Sequence, residues 1–131
     1  MTSDFPPAAR LHIDPVGTTA DGSVQVTLTG ELDSEETELL RAAVVDAVRR
    51  HAPAPIRIDA AGLTFIDSGG IRALLIARRI AERAGSRFSM PRVHPNVLRV
   101  LEITGLLAVL CVGDHAGSPP EAARQAQQDA W

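Results

Sequence analysis

The stretch IRIDAAGLTFIDSGGIRALLIARRIAERAG, residues 56–85, changes its period in the middle. Ile56 to Asp59 alternate apolar and polar, which predicts a strand, and the small residues that follow predict a loop. From about Gly69 to Ala84 apolar residues recur at helical spacing, and Gly85 suits the left-handed residue that ends a helix. A strand that feeds a helix through the junction Asp67-Ser68-Gly69-Gly70 is half of a crossover connection. It points to an α/β layered domain.

The flanking sequence fits the same layering. VQVTLTGEL (24–32) alternates cleanly, with Val24, Val26 and Leu28 on one side of a strand. LHIDPV (11–16) predicts a short strand before it, separated by the turn-rich GTTADGS. After residue 32 the period becomes helical, with Asp33 or Ser34 as the expected cap and Glu36 in capping-box spacing. Leu39, Leu40, Ala43, Val44, Ala47 and Val48 form its apolar stripe, and Arg49, Arg50 and His51 suit its negative end. RFSMPRV (87–93) predicts a strand, and HPNVLRVLEITG (94–105) a helix with Pro95 near its start. For LLAVLCV (106–112) strand and short helix are equally compatible with the pattern. Residues 1–9 read as a flexible leader and 113–131 as a mobile polar tail, leaving 10–112 as one folded domain. The expected architecture is a mixed four- to five-stranded sheet packed with α-helices.

Composition narrows the function. With 131 residues, 45% of them hydrophobic and 22% charged, the chain suits a single globular domain. A net charge of −3 gives no drive toward nucleic acid or anionic membranes. Cys111 is the only cysteine, so no intramolecular disulfide forms and a reducing, cytoplasmic setting is expected. All 13 basic residues are arginine, and a phosphate loop of the G-x-x-x-x-G-K type needs a lysine. The histidines, at 12, 51, 94 and 115, lack metal-ligand spacing. Ser68 also fails the nucleophile-elbow pattern, because Ile66 stands where that motif has glycine. The residues therefore predict neither an enzyme nor a cofactor.

What remains for Ser68 is a helix cap that faces a partner. Serine is a favoured cap, and two glycines beside it leave the backbone free of side chains. The positive end of a helix also accommodates a phosphate. A phosphorylatable, partner-facing cap unites these features.

With that combination the chain resembles STAS domains, and specifically stand-alone anti-sigma factor antagonists. The resemblance rests on GELD (30–33), IRIDAAGLTFIDSGG (56–70), IRALLIARRIAERAG (71–85) and VLRVLEITGL (97–106), in that order. DSGG resembles the phosphoacceptor signature D-[ST]-[ST]-G, with Ser68 at its phosphorylated position. Two positions depart from the family pattern. Gly69 replaces the second hydroxyl, and Arg72 stands where glycine is common. Arg72 is placed to pair with a phosphate on Ser68 or with a carboxylate of a partner.

The resemblance implies a partner-switching protein. The partner would be an anti-sigma factor with a histidine-kinase-like ATP-binding fold, whose serine-kinase activity phosphorylates Ser68 and ends the association. A metal-dependent serine phosphatase would reset it. Neither nucleic acid nor a membrane is an expected direct partner. The alternative within the family is a constitutive STAS adaptor or scaffold subunit, for example a transporter-associated one, without a phosphorylation cycle. The expected contact surface comprises Asp33, Asp67, Ser68, Gly69, Gly70, Ile71, Arg72, Leu75 and Arg79. On the second helix, Ala73, Leu74, Ile76, Ala77, Ile80, Ala81 and Ala84 should face the sheet. Arg72, Arg79 and Arg83 should gather opposite, with Ile71 and Leu75 beside them.

Overall fold

A computed structural model describes residues 10–113. The leader and all of the tail beyond Gly113 lie outside the described residues. Strands β1 (Leu11–Ile13) and β2 (Gly17–Thr18) both pair antiparallel with β3 (Val24–Leu32). Helix α1 (Thr37–His51) leads to β4 (Ile56–Ile66), and α2 (Ser68–Arg83) leads to β5 (Phe88–Val93). Helix α3 (Pro95–Ile103) follows. The sheet runs β1-β3-β4-β5, with β2 also on β3, and β3, β4 and β5 are mutually parallel. This is the expected mixed α/β sheet.

Its core follows from the alternation in β3, where Val24, Val26, Leu28 and Leu32 are buried. Ile56, Ile58, Leu63 and Ile66 of β4 join them, under Leu40, Val44 and Ala47 of α1 and Leu74, Ala77 and Ala81 of α2. Gly30 has φ +104, and a Cβ there would lie 2.1 Å from the Arg10 carbonyl oxygen. Only glycine lets β1 close on β3 at that register. No helix among the described residues is long and apolar enough to cross a membrane.

Several elements differ from the sequence expectation. The strand expected over 11–16 ends at Ile13, and a second short strand, Gly17–Thr18, forms in the segment expected to be turn. The loop expected after Asp59 is instead a continuation of β4, which reaches Ile66 through register shifts against β3. Asp59 explains this. Its buried carboxylate accepts from the Ala61 N–H at 3.1 Å and pairs with Arg92 at 3.2 Å, so the irregular backbone stays satisfied.

Helix α1 begins at Thr37, with Glu36 at its cap position and no side-chain cap bond. Asp33 and Ser34 belong to the preceding turn. Leu39, expected in the apolar stripe, is 44% exposed. Segment 106–112 is neither helix nor regular strand but a set of turns with one parallel bridge, Met90 to Val112. Cys111 at φ 52 breaks the extended path there.

Candidate functional site

The parallel strands β3 and β4 end side by side at Leu32 and Ile66. The turn after β3 and the start of α2 therefore meet at one edge of the sheet. Asp67 ties them together. One carboxylate oxygen accepts from the Gly70 N–H at 2.9 Å and caps α2, and the other accepts from the Ser34 N–H at 3.3 Å. The Asp67 N–H in turn donates to the Leu32 carbonyl at 3.3 Å.

Asp67, and not Ser68, is thus the cap of α2. Serine and aspartate are both good caps, but only the residue before the first helical turn can reach back to the Gly70 N–H. Ser68 is the first helical residue and is exposed. Asp67→Ala should lower stability by about 1–2 kcal/mol, from the lost cap and the released Ser34 N–H. Thermal unfolding of that variant against Asp67→Asn checks it, since asparagine retains an acceptor.

The glycines have an internal reason. A Cβ on Gly70 would lie 2.2 Å from the Leu32 carbonyl oxygen and 2.7 Å from Ile66 Cγ1. A Cβ on Gly69 would lie 2.5 Å from Ser34 Cβ. The pair lets α2 start directly against the end of β3 and its turn. Of the two, Gly70 is buried and Gly69 partly exposed.

Asp33 is likewise engaged within the chain. It is buried, accepts from Arg10 at 3.0 Å and holds the turn through the Glu35 N–H at 3.0 Å. Asp33, Asp67, Gly69 and Gly70 therefore build the platform on which Ser68 stands.

On α2 the buried arc is Gly70, Ala73, Leu74, Ala77 and Ala81. The opposite face carries Ser68, Arg72, Ile76, Arg79 and Arg83, which fall within about 80° of one another at 100° per residue. Ile76 is 38% exposed and Ala84 is also exposed, although both were expected to face the sheet. Ile71 and Leu75, expected beside the arginines, pack partly against the core. The small side chains of Ala73, Ala77 and Ala81 centre the contact, and Ile76 lies about 100° from Ala77 on the same wheel.

Two residues at the site were not marked from sequence. Ser34 is exposed on the turn that abuts Gly69. Phe65, at the end of β4, is 45% exposed. An aromatic three residues before Ser68, on the outward parity of β4, was a signal available in the sequence.

The profile of a family described as "Mlab, STAS domain" matches residues 17–111. The "Anti-sigma F factor antagonist" of Paenibacillus polymyxa is 28% identical over 94 residues, covering 72% of this chain and 80% of that protein. The crystal structure of an anti-sigma factor antagonist from Mycobacterium paratuberculosis is similar in fold, with TM-score 0.68 at 22% identity, covering 95% of this chain and 98% of that one. The Bacillus cell fate determinant SpoIIAA in its phosphorylated form also shares the fold. Its TM-score is 0.58 at 22% identity, over 92% of this chain and 100% of that one. The profile match spans nearly all of the sheet and its helices, and on that ground the chain belongs to the STAS domain family and is related to its anti-sigma factor antagonists.

Proposed function

We propose that the chain is an anti-sigma factor antagonist whose hold on its partner ends when Ser68 is phosphorylated. The observation that carries this reading is the contrast at the start of α2. Asp67, Gly69 and Gly70 are committed to internal contacts, while the Ser68 hydroxyl faces solvent on the first helical residue. A phosphate there adds about −1.5 to −2 charges without displacing a packed group. It changes the surface and spares the fold.

The chemistry is a simple transfer. The Ser68 oxygen takes the terminal phosphoryl group of ATP, ADP departs and the hydroxyl proton is released. Under this reading the kinase is the anti-sigma factor itself, with a histidine-kinase-like ATP-binding fold. A serine phosphatase removes the phosphate. The chain needs no cofactor and acts in the cytoplasm on protein partners, and residues 10–112 are the binding unit. The name carried by the Paenibacillus polymyxa relative and the phosphorylated form of the Bacillus neighbour support the reading.

The docking face is the exposed side of α2 that begins at Ser68. Ile76 offers an aliphatic contact among Arg72, Arg79 and Arg83, and Phe65 adds an aromatic at the strand end. Exposed aromatic and arginine residues are favoured interface anchors, and the arginines suit an acidic partner surface. Arg72→Ala and Arg79→Ala together should weaken binding about tenfold at low salt, with the difference shrinking as salt screens the charges. Thermal stability should stay at the wild-type value, since both side chains are exposed. Equal affinities for the variant and wild type across salt would place the partner on another surface.

A further inference from the structure

Ser68 and Arg72 lie one helical turn apart on the exposed face of α2, and the charges around them are unevenly committed. Each of Arg10, Arg41, Arg50, Arg57, Arg78 and Arg92 holds a carboxylate. Among the described residues, no ion pair engages Arg72. The chain has no lysine to supply another cation.

On the acidic side, Asp67 precedes Ser68 directly, and the turn that abuts Gly69 carries Asp33, Glu35 and Glu36. Arg10 pairs with Asp33 at 3.0 Å and Glu31 at 3.9 Å. The Gly70 N–H and Ser34 N–H are both taken by Asp67. These helix-start and turn donors are therefore not open to an added anion.

We propose that Arg72 works in both states of the switch: it meets an acidic group of the partner while Ser68 is free, and turns to the phosphate once Ser68 carries one. This rests on the Ser68 reading and adds its regulation. Residues four apart on a helix have Cβ atoms about 5–6 Å apart, and an anion N-terminal to the cation is the favourable order. A guanidinium can hold two phosphate oxygens at once. Phosphorylation then acts twice on the same surface. It adds negative charge where the partner docks, and it withdraws the first arginine of the docking face. Arg79 lies about 16 Å from Ser68 along the helix axis, at 1.5 Å per residue, and stays with the partner-facing set.

The test needs neither kinase nor partner. Phosphoserine is built into position 68 during translation, and its phosphate is titrated by 31P NMR in the otherwise wild-type chain, in Arg72→Ala and in Arg79→Ala. In the otherwise wild-type chain and Arg79→Ala the second pKa should fall below its ordinary value of about 6. In Arg72→Ala it should stand higher by about 0.3 or more. Salt at about 1 M, where the screening length is about 3 Å, should shrink that difference. Arg72→Lys should recover part of it. If Arg72→Ala titrates as the wild-type chain does, Arg72 does not hold the phosphate and the proposal falls. Absence of any kinase for Ser68 would defeat the switch itself while leaving this titration unchanged, so the two failures are distinguishable.

Discussion

Gly70→Ala should destabilise the fold by about 3 kcal/mol, at the upper end of overpacking costs. The added methyl meets the Leu32 carbonyl oxygen at 2.2 Å, Ile66 Cγ1 at 2.7 Å and Leu32 Cγ at 3.0 Å. A strand carbonyl cannot rotate away, and Leu32 is fully buried, so α2 must lift off the end of β3. That movement also strains the Asp67 bonds to Gly70 and Ser34. For a domain near 100 residues the loss corresponds to a melting temperature lower by roughly 12–20 °C. Gly69→Ala should cost less, because its methyl meets Ser34 on an exposed turn that can shift. Gly17→Ala has open space around its Cβ and ordinary φ, and serves as the neutral control. A Gly70→Ala chain that melts with the wild type would mean that α2 does not start against β3 as described.

The second large effect falls on binding. Ser68→Glu places a permanent charge at the exposed start of α2, beside Asp67. An unpaired charge held in an interface typically costs about 2–5 kcal/mol, so affinity for the anti-sigma factor should fall at least about thirtyfold. Full phosphate, with nearly twice the charge, should do more. Ser68→Ala should bind as wild type does and lose no more than about 0.5 kcal/mol of stability, because Asp67 supplies the cap. Isothermal titration with the partner, alongside circular dichroism, separates the two variants. Both should keep the wild-type spectrum, since Ser68 packs against nothing that holds the fold.

The contrast between Gly70 and Ser68 shows what could be read from the sequence. Alternation in 24–32 and the helical period after Gly70 report burial directly, so β3, α2 and the strand-to-helix junction were legible. Ser68 was legible as the distinctive residue of that junction. The division of labour around it was not, because it depends on contacts between segments distant in sequence. Nothing local says that Asp67 reaches Ser34, or that Gly69 faces that same turn. Propensity placed the cap at Ser68, and at Asp33 or Ser34 for α1. In the structure Asp33 is drawn to Arg10, which lies just before β1. Periodicity failed in β4 for a different reason. An extra residue in a strand reverses its facing; two such shifts against β3 bring Leu63 into the core out of step and then restore the alternation, so that Phe65 faces outward and Ile66 inward. On α2 the expectation that Ile76 faces the sheet stretched the apolar face too wide, since an ideal wheel sets Ile76 about 20° from Arg83 and about 60° from Ala73. The buried arc, centred on Ala77, is narrower than expected and leaves Ile76 outside among the arginines.

The proposed switch depends on Ser68 as the residue whose modification ends partner binding. Its most direct test is incubation of the full chain with its candidate anti-sigma kinase and ATP, followed by intact-mass analysis, site mapping and a binding measurement on the same sample. The expected result is one added phosphate, located at Ser68, with association lost in step with its appearance and no phosphate added to Ser68→Ala, which stays bound. A wild-type chain that remains unmodified and bound in the presence of ATP would contradict the switch and leave the chain as a constitutive STAS adaptor.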